Sequence, residues 1–240
     1  MNWLVQADSP ISEEQLPQVD IDECVGVVGP IGDFRRQLLG AEAQGIDQWA
    51  MKRQLEYSTG RHFAHLAMSA LGETAASITR REDRSPVWPG HLLGSIAHCD
   101  DAAIAVVAPA RSCGGIGVDV ERRSRIGEDL FDILFTAHER NAIRGGRSAT
   151  ELFCAKEALY KAVYPLVGKF INFTDVTFVD DAADAKEAHY IGTDPGAGEA
   201  ISMSIFSKRL TTTHAVVITW LPLRVGRGKL TFPVSNLPGL

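Results

Sequence analysis

Between residues 46 and 71 the apolar positions fall at helical spacing. Trp49, Ala50, Leu55, Phe63, Leu66, Ala67, Ala70 and Leu71 carry that pattern, and Gly72 stands where a helix needs its stop. Ser58-Thr59-Gly60 lies inside that span as a point of bending. Farther on, LLGSIAHC (92–99), AAIAVVA (102–108) and GIGVDV (115–120) are short apolar runs bounded by turn residues, and they predict three strands. Asp100-Asp101 separates the first two and PARSCGG the second two, so the economical arrangement is an antiparallel meander. Two helices follow. Thr136 with Glu139, and Ser148 with Glu151, have capping-box spacing, in which the hydroxyl accepts from an orphan backbone N–H and the glutamate reaches back. Gly145-Gly146 should stop the first and Pro165 the second. The tail holds strand-like runs at FTDVTFV, AHYIG, AISMSIF and HAVVITWL, whereas the first 45 residues, rich in Gly, Pro and acidic residues, predict loop with short strands. Strands mixed with a few long helices, without regular βαβ alternation, predict an α+β fold.

Composition narrows the class. The 240 residues are 45% hydrophobic and 22% charged, ordinary for a globular protein with a substantial core. The longest uninterrupted apolar run, Ala102 to Ala108, is far below the ~20 residues of a membrane span, and MNWLVQADSPISEEQ lacks the basic start and apolar core of a signal peptide. A cytoplasmic protein with no membrane partner is expected. Cys24, Cys99, Cys113 and Cys154 are scattered, which suggests reduced thiols packed as small hydrophobes. A net charge of −6 argues against nucleic acid as the main partner, since phosphate-backbone binding rests on excess Lys and Arg. Basic residues are nonetheless grouped: Lys52, Arg53 and Arg61; Arg80, Arg81 and Arg84; Arg122, Arg123 and Arg125. Such groups suit a small polyphosphate or an acidic protein patch.

Two stretches carry candidate chemistry. In GVDVE (117–121) a strand puts Asp119 and Glu121 on one face, Val118 and Val120 on the other. Two carboxylates ~7 Å apart at Cα can converge on one hard divalent cation, although an acidic outer strand face would look the same. In the helix 149–164, Leu152, Ala155, Leu159 and Ala162 form an apolar stripe and Glu157 points almost directly away from it. Its far-side neighbours are Phe153, Tyr160, Lys161 and Tyr164, so this helix should be covered on both sides. A Glu157–Lys161 surface pair, worth about 0.2–0.5 kcal/mol, is the plainer alternative. Lys156 sits about 100° from Glu157, on the flank. His98 ends a strand and could meet phosphate or cap an edge, while Arg53 and Arg61 lie about 80° apart on one helix and could share an anion.

STGRHFAHLAMSALG (58–72), PVWPGHLLGSIAHC (86–99), GVDVE (117–121) and FCAKEALYKAVYP (153–165) together resemble, in order and spacing, the 4′-phosphopantetheinyl transferases, and most closely the branch that includes the enterobactin-synthesis transferase. The resemblance runs from about Arg53 to Pro165. It implies a monomeric α+β fold of two similar halves about a pseudo-twofold axis, 1–117 and 118–240, with coenzyme A between them. It further implies that Asp119, Glu121 and Glu157 bind Mg2+, with Mn2+ as an alternative ion. Arg53, Arg61, Arg80 and His98 would contact the coenzyme's phosphates, with Asp119, Lys156 and Lys161 also on the coenzyme, Lys161 the better phosphate ligand. Glu157 and Lys161 are then the catalytic pair. Relatives usually carry Ser or Thr before the motif His, where this chain has Ala97.

The implied reaction moves the phosphopantetheine arm of coenzyme A to a serine of an apo acyl, aryl or peptidyl carrier protein, releasing adenosine 3′,5′-bisphosphate. Arg122, Arg123 and Arg125 are the candidates for meeting an acidic carrier. Two other readings compete: a non-catalytic coenzyme A or nucleotide-binding module, and a metal-dependent nuclease. Three carboxylates beside a polyanion speak against the first, and the acidic charge balance and Arg123, where nucleases commonly place Lys, against the second.

Overall fold

Residues 1–45 contribute two strands, β1 (Asn2–Val5) and β2 (Val25–Pro30), paired in parallel. The computed structural model describes residues 1–17, 19–123, 126–168, 170–178, 187–190, 203–204, 208–210 and 213–221. Helix α1 (Met51–Ala70) starts later than its apolar spacing suggests. Ile46–Gln48 is a separate 3-10 turn, and Trp49 and Ala50 are extended, which lets the indole meet the edge of Tyr57 at 5.2 Å between ring centres. The expected stop holds: Gly72 has φ +81, and the Glu73 N–H donates to the Met68 carbonyl. Ser58 and Thr59 donate their hydroxyls back to the Leu55 carbonyl, and the helix continues as one element. Gly60 is needed for contact, since a Cβ there would lie 2.6 Å from Ile96 Cγ2.

Strands β3 (Leu92–His98) and β4 (Ala102–Pro109) form the expected hairpin around Asp100-Asp101. The next strand, β5 (Gly115–Arg122), does not continue the meander. After it come α2 (Phe131–Leu134), α3 (Ala137–Arg144), α4 (Ala149–Val167), β6 (Val176–Phe178), β7 (Glu187–Tyr190), β8 (Met203–Ser204), β9 (Lys208–Leu210) and β10 (His214–Leu221). The first sheet has the order β1-β2-β4-β3, and β5 belongs instead to a second, β5-β10-β9, with β6-β7-β8 as a third. Two features take β5 out of the meander. Both edges of β4 are already laddered, one to β3 and the other to β2, and β5 is itself laddered along its whole length to β10.

The two faces of β5 have different neighbours. Ile116, Val118 and Val120 enter a core shared with Val28, Ile104, Val106, Val216 and Ile218, so both sheets close on one apolar layer. Gly117 faces α4, where a Cβ would stand 1.9 Å from the Ala158 carbonyl oxygen. Helix α4 packs on two faces, but the aromatic far face expected to be covered is not one of them, since Phe153, Tyr160 and Tyr164 are half-buried. Cys154 and Ala158 pack on Ala215 and Val217 of β10, while Leu152, Leu159 and Val163 meet Phe135, Val176 and Phe178.

The capping box at Thr136 forms with both bonds, and Ser148 accepts from the Glu151 N–H. Pro165 does not end α4, which runs two residues farther to Gly168 in the left-handed region. A proline in the last turn removes one N–H without preventing later residues from holding helical dihedrals. All four cysteines are buried and free. Among the described residues no helix is long and apolar enough to cross a membrane. HAVVITWL is strand throughout, FTDVTFV divides into a 3-10 turn and β6, and AHYIG and AISMSIF supply β7 and β8, the rest of those two runs lying outside the described residues. The fold is the expected α+β, with one long helix on each of two sheets, α1 on the first and α4 on the second.

Candidate active site

The contact of α4 with β5 makes the centre of the site. Because Gly117 lets the helix backbone approach, Lys161 can reach the strand: its ammonium donates to Asp119 Oδ1 at 2.7 Å and to the Val118 carbonyl at 3.2 Å. Asp119 is 5% exposed, and its other oxygen, Oδ2, is buried without a hydrogen-bond partner. The nearby Cys154 thiol lies 3.7 Å from the Ala215 carbonyl. Burial holds that thiol well above its ordinary range, and the charges of Asp119 and Glu121 push it further the same way. Glu121 follows Asp119 on the same face, half-buried near the end of β5.

Glu157 stands one helical turn before Lys161. Burial raises its carboxyl, Asp119 adds to the rise and Lys161 opposes it. For Lys161 burial is the largest single influence and lowers the ammonium, but Asp119 and Glu157 together overcome it and leave the group raised. One held ammonium thus sits among carboxylates that outnumber it. The donor set is all carboxylate oxygen, and Asp119 Oδ2 offers buried lone pairs that no protein donor satisfies. Such oxygen donors have the chemistry for a hard divalent cation such as Mg2+, although Asp119, Glu121 and Glu157 do not bring their ligand atoms within 4.8 Å of one another as Cys99, Asp101 and His214 do.

A second group joins this one from the other sheet. Arg53 on α1 donates to His98 Nε2 at 2.9 Å, and Glu56 lies 3.7 Å from the first and 3.8 Å from the second. Burial lowers the His98 imidazole, Glu56 opposes that, and Arg53 and Lys161 lower it further, so His98 feels both α1 and the α4–β5 centre. Arg53 is exposed. Arg61 is buried: its Nε donates to the Ile78 carbonyl at 2.8 Å and its guanidinium covers Tyr57 at 4.5 Å. Arg80 is exposed and covers Trp49 at 4.3 Å. With the Trp49–Tyr57 contact, the two arginines are joined by a ladder of cation, ring, ring and cation. The loop carrying Arg80 is tied to α4, because the Tyr164 hydroxyl donates to Asp83 Oδ2 at 2.6 Å. Hydrogen bonds from Ser85 and Tyr164 hold that carboxyl down at about 2.

Lys156 stands apart from this convergence. It is 4% exposed, and its ammonium lies 2.7 Å from Glu139 and donates to the Val176 carbonyl at 2.8 Å. Glu139, fully buried, also accepts from the backbone of Thr136 and Phe178. Burial lowers the Lys156 ammonium and Glu139 counters it. Ala97 is 4% exposed and faces the core layer beside β5, on the opposite side of β3 from His98. Of the three candidate carrier-facing arginines, Arg122 is exposed and paired with Asp101, Arg123 is exposed, and Arg125 lies outside the described residues.

Sequence reasoning missed Glu56 and Glu139. Glu56 sits at i+3 from Arg53 on the same helix, a spacing that could have singled it out. Glu139 was read as a cap, and its second role depends on where α4 packs. Beside Glu157 opens a groove lined by Lys156, Tyr160, Val163, Phe170, Phe173 and Val176. It is mostly apolar and would take an uncharged chain.

Two family models match the chain: the 4′-phosphopantetheinyl transferase N-terminal domain over residues 41–108, and the 4′-phosphopantetheinyl transferase superfamily over 115–215. The chain is 35% identical to 4′-phosphopantetheinyl transferase Npt of Nocardia iowensis over 153 residues, which is 60% of this chain and 69% of that protein. It is 33% identical to 4′-phosphopantetheinyl transferase PptT of Mycobacterium tuberculosis over 151 residues, 60% of this chain and 66% of that protein. Over 118 residues it is 32% identical to enterobactin synthase component D of Salmonella typhi, covering 46% of this chain and 48% of that one.

Proposed function

Since the chain belongs to the 4′-phosphopantetheinyl transferase family, we propose that the α4–β5 contact is where the phosphopantetheine arm of coenzyme A passes to a serine of an apo carrier protein. The observation that carries this reading is the pairing of Lys161 with one oxygen of Asp119 while the other stays buried and unsatisfied.

The serine oxygen attacks the β-phosphorus of the coenzyme's pyrophosphate, forming a new O–P bond. The bridging P–O bond breaks and adenosine 3′,5′-bisphosphate leaves. Such transfers rest on positioning and on spreading negative charge. Lys161, held by Asp119, sets a fixed positive charge beside the transferring phosphoryl group. Asp119, Glu121 and Glu157 would hold Mg2+, with Mn2+ as the substitute ion; when bound it supplies charge neutralisation at the pyrophosphate oxygens. Glu157, directly or through a water, takes the serine proton, and its raised carboxyl suits it to proton transfer nearer neutrality. Arg53 and His98 form one phosphate contact, and the ladder from Arg61 to Arg80 another. The apolar groove beside Glu157 suits the uncharged arm. The halves 1–117 and 118–240 would then meet at β5, with a monomer as the working unit.

Incubation with coenzyme A, Mg2+ and a panel of apo carrier proteins tests the reading. A carrier gaining the mass of one phosphopantetheine is expected; binding of coenzyme A with no gain on any carrier would favour a non-catalytic module instead. Charge reversal at Arg122 is expected to raise the KM for the carrier and leave that for coenzyme A unchanged, and an unchanged carrier KM would remove this arginine from the docking surface.

A further inference from the structure

At the turn between β3 and β4 stands a second cluster, distinct from Asp119, Glu121 and Glu157. Cys99 follows β3, Asp101 lies in the turn, and His214 opens β10 from the other sheet. Cys99 Sγ, a carboxylate oxygen of Asp101 and a ring nitrogen of His214 all lie within 4.8 Å of one another. The sulfur is 3.4 Å from Asp101 Oδ1, and His214 Nε2 is 3.0 Å from the same oxygen. A tetrahedral ion bonded at about 2.0 Å to N and O and about 2.3 Å to S holds its ligand atoms roughly 3.3–3.5 Å apart. The two separations to Asp101 Oδ1 are close to those edges.

The outer contacts point the same way. His214 Nδ1 lies 2.8 Å from the Thr213 hydroxyl, which leaves Nε2 toward the cluster. Arg122 is bound to Asp101 Oδ2, which keeps Oδ1 inward. Hydrogen bonds of this kind orient metal-binding imidazoles and carboxylates. Cys99 and His214 are buried, while the Asp101 side chain is 30% exposed and gives solvent a way in.

We propose that Cys99, Asp101 and His214 form a site for a borderline transition ion, Zn2+ foremost, separate from the carboxylate set suited to Mg2+. Thiolate and imidazole select such an ion over Mg2+. On binding, the Cys99 thiol gives its proton to solvent and a sulfur–metal bond forms, while Asp101 Oδ1 exchanges its two hydrogen bonds for a metal bond. The ion ties the hairpin that carries His98 to β10, and so one sheet to the other. The inference does not depend on the transferase reading.

The test uses the whole chain, stripped with chelator and kept in excess Mg2+, titrated with Co2+ as a spectroscopic stand-in. One equivalent should produce a thiolate-to-cobalt charge-transfer band in the near ultraviolet, which Zn2+ abolishes by displacement, and Zn2+ alone should raise Tm. The band should be absent in Cys99→Ser and weakened in Asp101→Asn, with both variants shown folded by circular dichroism. No band in the folded wild-type chain would overturn the proposal. So would a band that survives Cys99→Ser, which assigns the thiol to another cysteine, or one that Asp101→Asn leaves untouched, which reduces the site to a lone thiol.

Discussion

Replacing Gly117 by alanine should both destabilise the protein and disable the site, because one close approach serves both. The added Cβ would lie 1.9 Å from the Ala158 carbonyl oxygen and 2.8 Å from the Ala162 nitrogen. Both are helix backbone, so no side-chain rotation relieves the clash. Restoring even a 3.0 Å contact requires α4 to withdraw from β5 by at least ~1.1 Å. Overpacking of this kind costs about 1–3 kcal/mol. In a chain of this size that corresponds to a fall in Tm of roughly 2–12 °C. The same withdrawal stretches the 2.7 Å Lys161–Asp119 contact beyond hydrogen-bond length. Misplacement by about 1 Å can cost on the order of 100-fold in rate. Two glycines calibrate the result. Gly115→Ala meets the Ala162 carbonyl at 2.6 Å and should be milder, and Gly90→Ala has nothing within 4 Å and should be nearly neutral. Thermal melts and steady-state transfer assays on the three variants decide the matter. If Gly117→Ala matches Gly90→Ala in both Tm and kcat, the close approach of α4 to β5 is not what positions the site.

Glu157→Gln should slow transfer by ~100-fold or more at saturating Mg2+ if the carboxylate takes the serine proton, and near-normal turnover would end that role. The same variant should raise Tm in metal-free buffer. A carboxyl raised in the folded state binds its proton more tightly there than in the unfolded chain, so stability falls as pH rises through that window; the gain in the variant should be full at neutral pH and vanish below ~4, where both states are protonated. Lys156→Met strands the buried Glu139 carboxylate and should cost about 3–5 kcal/mol in denaturant unfolding; adding Glu139→Gln should recover part of it, and a single variant as stable as wild type would deny the ion pair its structural role. Arg53→Ala should raise the coenzyme A KM by roughly 10–100-fold with little change in Tm, whereas Arg61→Ala, which also abandons the Ile78 carbonyl and the Tyr57 ring, should lower Tm as well; equal Tm losses in the two would contradict their different burial.

How much of this was legible depended on how local each determinant is. Caps and stops are local: Thr136, Ser148, Gly72 and the Asp100-Asp101 turn behave as their sequence neighbours dictate. Strand pairing is not. Nothing near GIGVDV says that its partner lies almost 100 residues later in HAVVITWL, so the meander was the cheaper inference and the wrong one. The alternation of glycine and valine did contain the answer in another form. Gly115, Gly117 and Asp119 alternate with Ile116, Val118 and Val120, and a strand that is smooth on one side and bulky on the other is prepared to take a helix backbone on its smooth face.

The same limit separates Lys156 from Lys161, five residues apart on one helix. Both are lysines beside carboxylates, and local spacing could pair only Glu157 with Lys161. Burial distinguishes them: Lys156 is enclosed with Glu139 and two carbonyls, a closed set with no acceptor left over. Lys161 shares Asp119 with nothing that satisfies Oδ2. A satisfied buried pair specifies how α4 packs against α3 and β6, and an unsatisfied one invites a ligand. What makes one lysine structural and its neighbour a candidate catalyst is therefore the number of unmet acceptors around its partner, a quantity set by three distant segments folding onto one helix.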